Sequence, residues 1–353
     1  MKTGQKVKKV AFITGVTGQD GAYLAQYLVE HDYEVHGLVR RSSVDNTSRL
    51  YHFYPPIITE ITLHTGDLNE WETIQRILRE VKPDEIYNLA AMSFVGASFD
   101  LPLTTAYTNG LAVVNILEYI RNYDTDCRMY QASTSEMFGE STPPQSELTR
   151  FNPRSPYGTA KAFAHHSCVN YREAYDLHIS CGILFNHESP LRGDEFVTKK
   201  ITNGLNRILD EYVYPHTRSN FVLELGNVDA RRDWGHAEDY VRAMHLMLQQ
   251  DKGDDYVVAT GESYSVRDFL EQSFLCIRKK YPEFPDISFK GKGENFTASC
   301  ADSGDTIVKV NPKFYRPSEV NYLLGDPTKA REKLGWEPRF SLEDIVSGMM
   351  MHD

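Results

Sequence analysis

The strongest constraint on the fold lies at the start of the chain, where Lys9-Val10-Ala11-Phe12-Ile13-Thr14 runs into Gly15-Val16-Thr17-Gly18-Gln19-Asp20-Gly21 and then into a helical stretch over 22–31. The apolar run reads as a short buried strand. Glycines three residues apart let backbone approach a pyrophosphate, which the free N–H groups of the helix N-terminus then hold. A glycine trio alone is a weak signal; its place between a strand and a helix gives it meaning. The next apolar stretch, Glu34-Val35-His36-Gly37-Leu38-Val39, arrives where a second strand of a dinucleotide-binding unit belongs. It ends in Arg40-Arg41-Ser42-Ser43, with no acid at its tip. An Asp or Glu there would accept the ribose 2′-hydroxyl of NAD, whereas two arginines and serines favour the 2′-phosphate of NADP. An arginine pair on a solvated loop is the other reading of the same residues.

Strand and helix signals then alternate to about residue 190. Ile61-Thr62-Leu63-His64 leads to Gly66-Asp67-Leu68, a helix is expected over 70–81, a strand over 84–90 and a long helix over 103–121. Arg128-Met129-Tyr130-Gln131-Ala132 is a further strand, and so is the run over 179–185. This pattern implies an α/β fold: a Rossmann-type doubly wound parallel sheet over 1–190, with a smaller mixed α/β C-terminal lobe over 191–353 interwoven with it. A chain of 353 residues is long enough for both. The short strand Tyr256-Val257-Val258-Ala259 belongs to the lobe or returns to the sheet, and the Gly-, Ser- and Asp-rich stretch over 290–308 is expected to be mobile.

With a net charge of −11, nucleic acid is not expected as a partner, and an anionic substrate must be met by local cations. No apolar run approaches membrane length, and 10–14 is too short for a signal core, so a cytoplasmic protein with no membrane partner is expected. Cys127, Cys168, Cys181, Cys276 and Cys300 are odd in number and scattered, and read as free buried thiols. His165-His166 point apart on a helix and lack further ligands at metal spacing, so no metal site is expected.

The chemistry is carried by Ser133-Thr134-Ser135-Glu136 at a strand end and by Tyr157-Gly158-Thr159-Ala160-Lys161 beyond it. A Tyr and a Lys four apart on a helix share a face, so the ammonium is expected against the phenol, lowering its pKa from about 10 toward working pH. Thr134 would orient the phenol and a substrate alcohol. Glu136 adds a carboxylate that a plain dehydrogenase does not need: beside a newly formed ketone it could take the neighbouring acidic C–H proton and help expel a hydroxyl as water. The five-residue Tyr/Lys pattern alone also arises by chance on amphipathic helices; the nucleotide motif ahead of it tips the reading.

Together with Pro153-Arg154-Ser155-Pro156, the stretch over 182–190, Phe196-Val197-Thr198 with Lys200, Arg232-Asp233-Trp234-Gly235-His236 and Tyr315-Arg316-Pro317 with Glu319-Val320, these motifs resemble the extended short-chain dehydrogenases. More narrowly, the chain is similar from about residue 10 to about 336 to the GDP-mannose 4,6-dehydratase branch, whose Thr-Ser-Glu differs from the Thr-Asp-Glu usual in dTDP- and UDP-sugar dehydratases. The resemblance implies NADP as cofactor and a GDP-sugar as substrate. Tyr157, with Lys161 and Thr134, would take the 4-hydroxyl proton during C4 oxidation, and Glu136 the C5 proton during loss of the 6-hydroxyl; hydride return to C6 would leave a 4-keto-6-deoxy sugar. It also implies that Gly15, Thr17, Gly18, Gln19, Asp20, Gly21, Arg40, Arg41 and Ser42 hold the cofactor phosphates. Asp67 and Leu68 would flank adenine, Leu89, Ala90 and Ser93 the nicotinamide side, and His187 and Arg192 match cofactor-contacting positions. Asn186, Val197, Lys200, Arg232, Arg316 and Glu319 would hold the GDP portion, with Ser93 and Ser135 beside the sugar. For the cations the resemblance has a physical sense, since lysine and arginine suit a diphosphate.

Several positions depart from the branch's pattern. Ala90-Ala91-Met92-Ser93-Phe94-Val95 stands where Gly-Ala-Gln-Ser-His-Val is typical, and Thr104 where a tyrosine is usual. Met92 and Phe94 make another GDP-sugar, such as a GDP-manno-heptose, the alternative substrate; a nucleotide-sugar epimerase or reductase is the alternative from another class. The family loop matching Asn46-Thr47-Ser48-Arg49 reaches a neighbouring subunit's cofactor, so a homo-oligomer, a tetramer or else a dimer, is expected.

Overall fold

The computed structural model describes residues 8–213, 221–315 and 318–351. Its strands in chain order are β1 (Val10–Thr14), β2 (Glu34–Val39), β3 (Thr62–Thr65), β4 (Glu85–Asn88), β5 (Arg128–Thr134), β6 (Ile179–Leu184), β7 (Asn186–Glu188), β8 (Leu223–Leu225), β9 (Arg231–Arg232), β10 (Trp234–His236), β11 (Asp255–Val258), β12 (Tyr264–Ser265), β13 (Ile287–Lys290), β14 (Thr297–Cys300) and β15 (Thr306–Val310). The helices are α1 (Gln19–Glu30), α2 (Trp71–Val81), α3 (Val95–Asp100), α4 (Pro102–Ala106), α5 (Ala112–Tyr123), α6 (Pro156–Tyr175), α7 (Val197–Val213), α8 (Ala237–Leu248), α9 (Val266–Lys280), α10 (Thr328–Leu334) and α11 (Leu342–Met351).

Seven strands form one parallel sheet in the order β11-β6-β5-β4-β1-β2-β3. The order reverses beside β1, so the ends of β1 and β4 open the crevice in which doubly wound sheets bind ligands. In β1 the side chains of Ala11, Phe12 and Ile13 are wholly buried because helices cover both faces of the sheet. The Leu24, Leu28, Tyr240 and Met244 side chains of α1 and α8 pack in one core, and those of α2, α5 and α6 pack in another. β11 returns to the sheet, so residues 237–258 lie with the nucleotide half although the C-terminal lobe was expected to begin at 191.

The lobe has a core of its own, in which Ile201 and Leu205 of α7 meet Phe269 and Phe274 of α9, Val308 of β15 and Val346 of α11. Residues 290–308, expected to be mobile, instead supply β14 and β15 to the four-stranded sheet β13-β14-β15-β8. Ala298 and Val308 are fully buried, and tertiary burial overrides the turn-rich composition. The helix expected over 103–121 is interrupted by a π-helical turn at Tyr107–Leu111 between α4 and α5. There Gly110 packs so closely that a Cβ would meet the ring of Phe163 at 3.2 Å.

Candidate active site

The cofactor cradle is a place where side chains would not fit. Gly15 has φ +72°, and a Cβ there would lie 2.9 Å from the Ala90 backbone; at Gly21 it would lie 2.2 Å from the Gly15 carbonyl oxygen. Gly18 is the N-cap of α1 and no side chain caps that helix end, which suits the binding of a diphosphate by its first N–H groups. The hydroxyl of Thr14 accepts from the N–H of Leu89 and of Ala90, each at 3.1 Å, and donates to Asn88 at 2.7 Å, which ties the ends of β1 and β4 together. These observations fit a dinucleotide.

Gln19 and Asp20 turn inward. Gln19 donates to the carbonyl of His187 and accepts from Ser189, and Asp20 bonds Nε2 of His187 at 2.7 Å. Nδ1 of His187 faces the Phe185 carbonyl at 2.8 Å, so both ring nitrogens meet acceptors, while the ring stacks on Tyr240. Burial works to raise the Asp20 carboxyl, yet the His187 charge and hydrogen bond hold it below its ordinary value. The structure therefore places Gln19, Asp20 and His187 as a joint between α1 and β7, a role that motif reading missed. Thr17 lies in the glycine loop, and its carbonyl accepts from Arg49, which also donates to the Leu191 carbonyl at 2.8 Å. Arg49 thus turns back on its own chain. Arg40, Arg41 and Ser42 are exposed beyond β2, and Asp67 and Leu68 follow β3.

The catalytic candidates converge at the carboxyl end of β5. Thr134 ends that strand and its hydroxyl accepts from the Glu136 N–H at 3.3 Å, setting a 3-10 turn with Ser135 buried and Glu136 half-buried. Tyr157 and Lys161 sit on the buried face of α6, whose start is fixed by Pro156 and by the Ser155 hydroxyl accepting from the Gly158 N–H at 3.0 Å. One expectation is corrected. Burial pushes the Tyr157 phenol up to about 12; the hydrogen bond with Thr134 and the Arg192 charge pull it down, and Glu136 and Asp20 push it up. The Lys161 ammonium is 6.0 Å from the ring centre and donates instead to the Ala132 carbonyl at 2.8 Å, and burial lowers it to about 8. Desolvation outweighs the attraction that helical spacing alone implies.

On the substrate side, Arg192 pairs with Glu188 at 3.1 Å and lies over the Phe196 ring, whose other neighbour is Phe94, edge-on at 6.2 Å. Ser93 is exposed beside Phe94, and the Met92 backbone is held on both its N–H and its carbonyl by Asn109. Asn186 and Val197 are half-buried at the starts of β7 and α7. Lys200 stands over the Phe314 ring at 3.7 Å, with burial lowering its pKa. Arg232 is buried and meets Glu319 at 3.3 Å. Arg316 lies outside the described residues, and Thr104 is exposed on α4.

Donor atoms of His165, Cys181 and Asp255 fall within 4.8 Å of one another. Arg172 already holds both Asp255 oxygens and Ser133 holds Nδ1 of His165, which accounts for two of the three without an ion. All five cysteines are free, with Cys276 and Cys300 only half-buried.

The family model described as GDP-mannose 4,6 dehydratase matches residues 12–349. This chain belongs to that family. It is 48% identical to the human GDP-mannose 4,6 dehydratase over 99% of the chain and 92% of that protein, and 46% identical to the Vibrio cholerae GDP-mannose 4,6-dehydratase over 98% and 94%. The fold is shared with the Bacillus anthracis dTDP-glucose 4,6-dehydratase, solved with NAD, at a TM-score of 0.75 and 18% identity over 97% of this chain and 95% of that one. Membership in the GDP-mannose 4,6-dehydratase family makes this site one of a nucleotide-sugar hydro-lyase. No described helix is long and apolar enough to cross a membrane.

Proposed function

We propose that the chain dehydrates GDP-mannose to GDP-4-keto-6-deoxymannose, with NADP as the nicotinamide cofactor. The observation that carries this reading is Glu136: a carboxylate two residues beyond Thr134, close enough to Tyr157 for its charge to be felt at the phenol, in a site otherwise sufficient for alcohol oxidation. When bound, the cofactor supplies a hydride acceptor that later returns the same hydride. Gly15, Gly18, Gly21 and Thr17 hold its diphosphate, and Arg40, Arg41 and Ser42 its 2′-phosphate.

Tyr157 takes the 4-hydroxyl proton, with Thr134 orienting phenol and alcohol. The resulting ketone acidifies the C5–H, Glu136 removes that proton, and the 6-hydroxyl leaves as water with a proton from the same carboxyl. Lys161, anchored on the Ala132 carbonyl, keeps its ammonium 6.0 Å from the centre of the phenol ring. Ser93 and Ser135 border the sugar; Asn186, Val197, Lys200, Arg232, Glu319 and Arg316 form the nucleotide end. A GDP-manno-heptose and a simple epimerase or reductase are less favoured, since the close relatives are named for GDP-mannose and Glu136 is superfluous to both simpler reactions. Assembly as a tetramer or dimer is part of the same reading, supported by exposed Leu103, Tyr107, Leu111 and Phe163 near one another on α4 to α6.

Purified protein given GDP-mannose without external reductant should form a product lighter by one water, detected by mass spectrometry, with no net change in reduced nicotinamide. A product of unchanged mass, or a requirement for stoichiometric NADPH, would overturn the reading.

A further inference from the structure

Asp233 follows Arg232 directly and is wholly buried. Its Oδ1 accepts from the Thr260 N–H at 2.8 Å and the Thr260 hydroxyl at 2.7 Å; its Oδ2 accepts from the N–H of Gly261 at 3.0 Å and of Gly325 at 3.4 Å. These donors come from two remote pieces of chain, the turn after β11 and the stretch 319–325. That stretch also runs beside β9, where the Arg231 N–H donates to the Asn321 carbonyl at 2.9 Å and the Leu323 N–H to the Arg231 carbonyl at 3.2 Å. On its far side Gln145 bonds the Leu324 N–H and carbonyl. The stretch begins at Glu319, the partner of Arg232.

We propose that Asp233 is a positioning residue for the nucleotide end of the substrate site: it gathers the turn after β11 and the stretch 319–325 onto β9, so that Arg232 and Glu319 meet with the spacing a GDP moiety requires. The proposal rests on the GDP-sugar reading above. The carboxylate is needed for its two acceptor oxygens. An asparagine in the same pocket presents one oxygen and one NH2. In one orientation the NH2 faces Gly261 and Gly325, and in the flipped one both Thr260 donors, so each leaves buried donors unmet. A loss of this kind moves the segment that carries Glu319. It does not reach the glycine loop, which lies on β1 and α1.

The test is calorimetry with GDP alone and with NADPH alone, together with steady-state kinetics on GDP-mannose. Asp233→Asn should weaken GDP binding by about tenfold or more and raise KM in parallel, with kcat within about threefold of the parent and NADPH affinity unchanged. Thr260→Val keeps the shape and removes one donor, and should weaken GDP by about threefold; it decides the matter if Asp233→Asn does not accumulate as folded protein. Folded variants that bind GDP like the parent would overturn the proposal, and so would equal losses in kcat, NADPH affinity and GDP affinity, which mark a merely structural role. Parent protein that bound no GDP at all would instead overturn the functional reading.

Discussion

The Lys161 ammonium donates to the Ala132 carbonyl at 2.8 Å while standing 6.0 Å from the centre of the Tyr157 ring. Lysine and tyrosine share a helical face, yet the lysine is anchored to the neighbouring strand. Burial pushes the Tyr157 phenol up to about 12, and the charge close enough to draw it down is that of Arg192, with the Thr134 hydrogen bond, rather than that of Lys161.

Lys161 itself is a stability cost. Its pKa falls from 10.5 to about 8 on folding, so the folded state resists the charged form. The penalty is fully present below pH 8, shrinks as pH rises, and vanishes above about 10.5. At pH 7 it is on the order of 3 kcal/mol, against which the charge-assisted hydrogen bond to Ala132 contributes about 1.5 to 3. Lys161→Met should therefore leave stability at pH 7 unchanged or raise it by up to about 1.5 kcal/mol while abolishing turnover. Denaturant melts at pH 7 and pH 10.5 check both the gain and its disappearance; a destabilised variant at pH 7 would contradict it.

Glu136→Gln separates dehydration from oxidation. The amide keeps the shape but cannot take the C5 proton, so elimination should fall by about a hundredfold or more. Under single turnover the variant should accumulate reduced nicotinamide with a 4-keto sugar that retains its 6-hydroxyl, whereas Tyr157→Phe should show no reduced nicotinamide. Product formation by Glu136→Gln at near the parent rate would exclude this carboxylate as the base.

The proposed use of NADP rests on Arg40 and Arg41, which are exposed. A charge-assisted contact with a 2′-phosphate contributes about 1.5 to 3 kcal/mol, so replacing both with serine should remove most of a preference for NADP over NAD. Titration of the two cofactors by protein fluorescence measures it. Undiminished discrimination in the double variant would move the 2′-phosphate elsewhere.

Gly21→Ala tests the cradle. Its new Cβ would fall 2.2 Å from the Gly15 oxygen and 2.6 Å from the Val16 Cα, both backbone, so the loop must open. NADPH affinity should drop by at least about tenfold, and GDP binding, which the proposed function assigns to residues outside the glycine loop, should persist. Parallel loss of both would mean general unfolding.

Much of this protein is legible in its amino-acid sequence, because those features are local. A strand feeding a glycine loop and a helix, Thr134 to Glu136 at a strand end, and Tyr157 with Lys161 four apart each state their geometry within a few residues. What needed the tertiary structure is set by distant partners and by burial. Asp20 and His187 are 167 positions apart, so no spacing rule could show that two supposed cofactor ligands bond each other. The stretch over 290–308 reads as a loop by composition and becomes strands only because a core waits beneath Ala298 and Val308. The sign of the Tyr157 and Lys161 shifts likewise depends on how much water the packed site excludes, a property of the whole fold that neither residue's neighbours in sequence record.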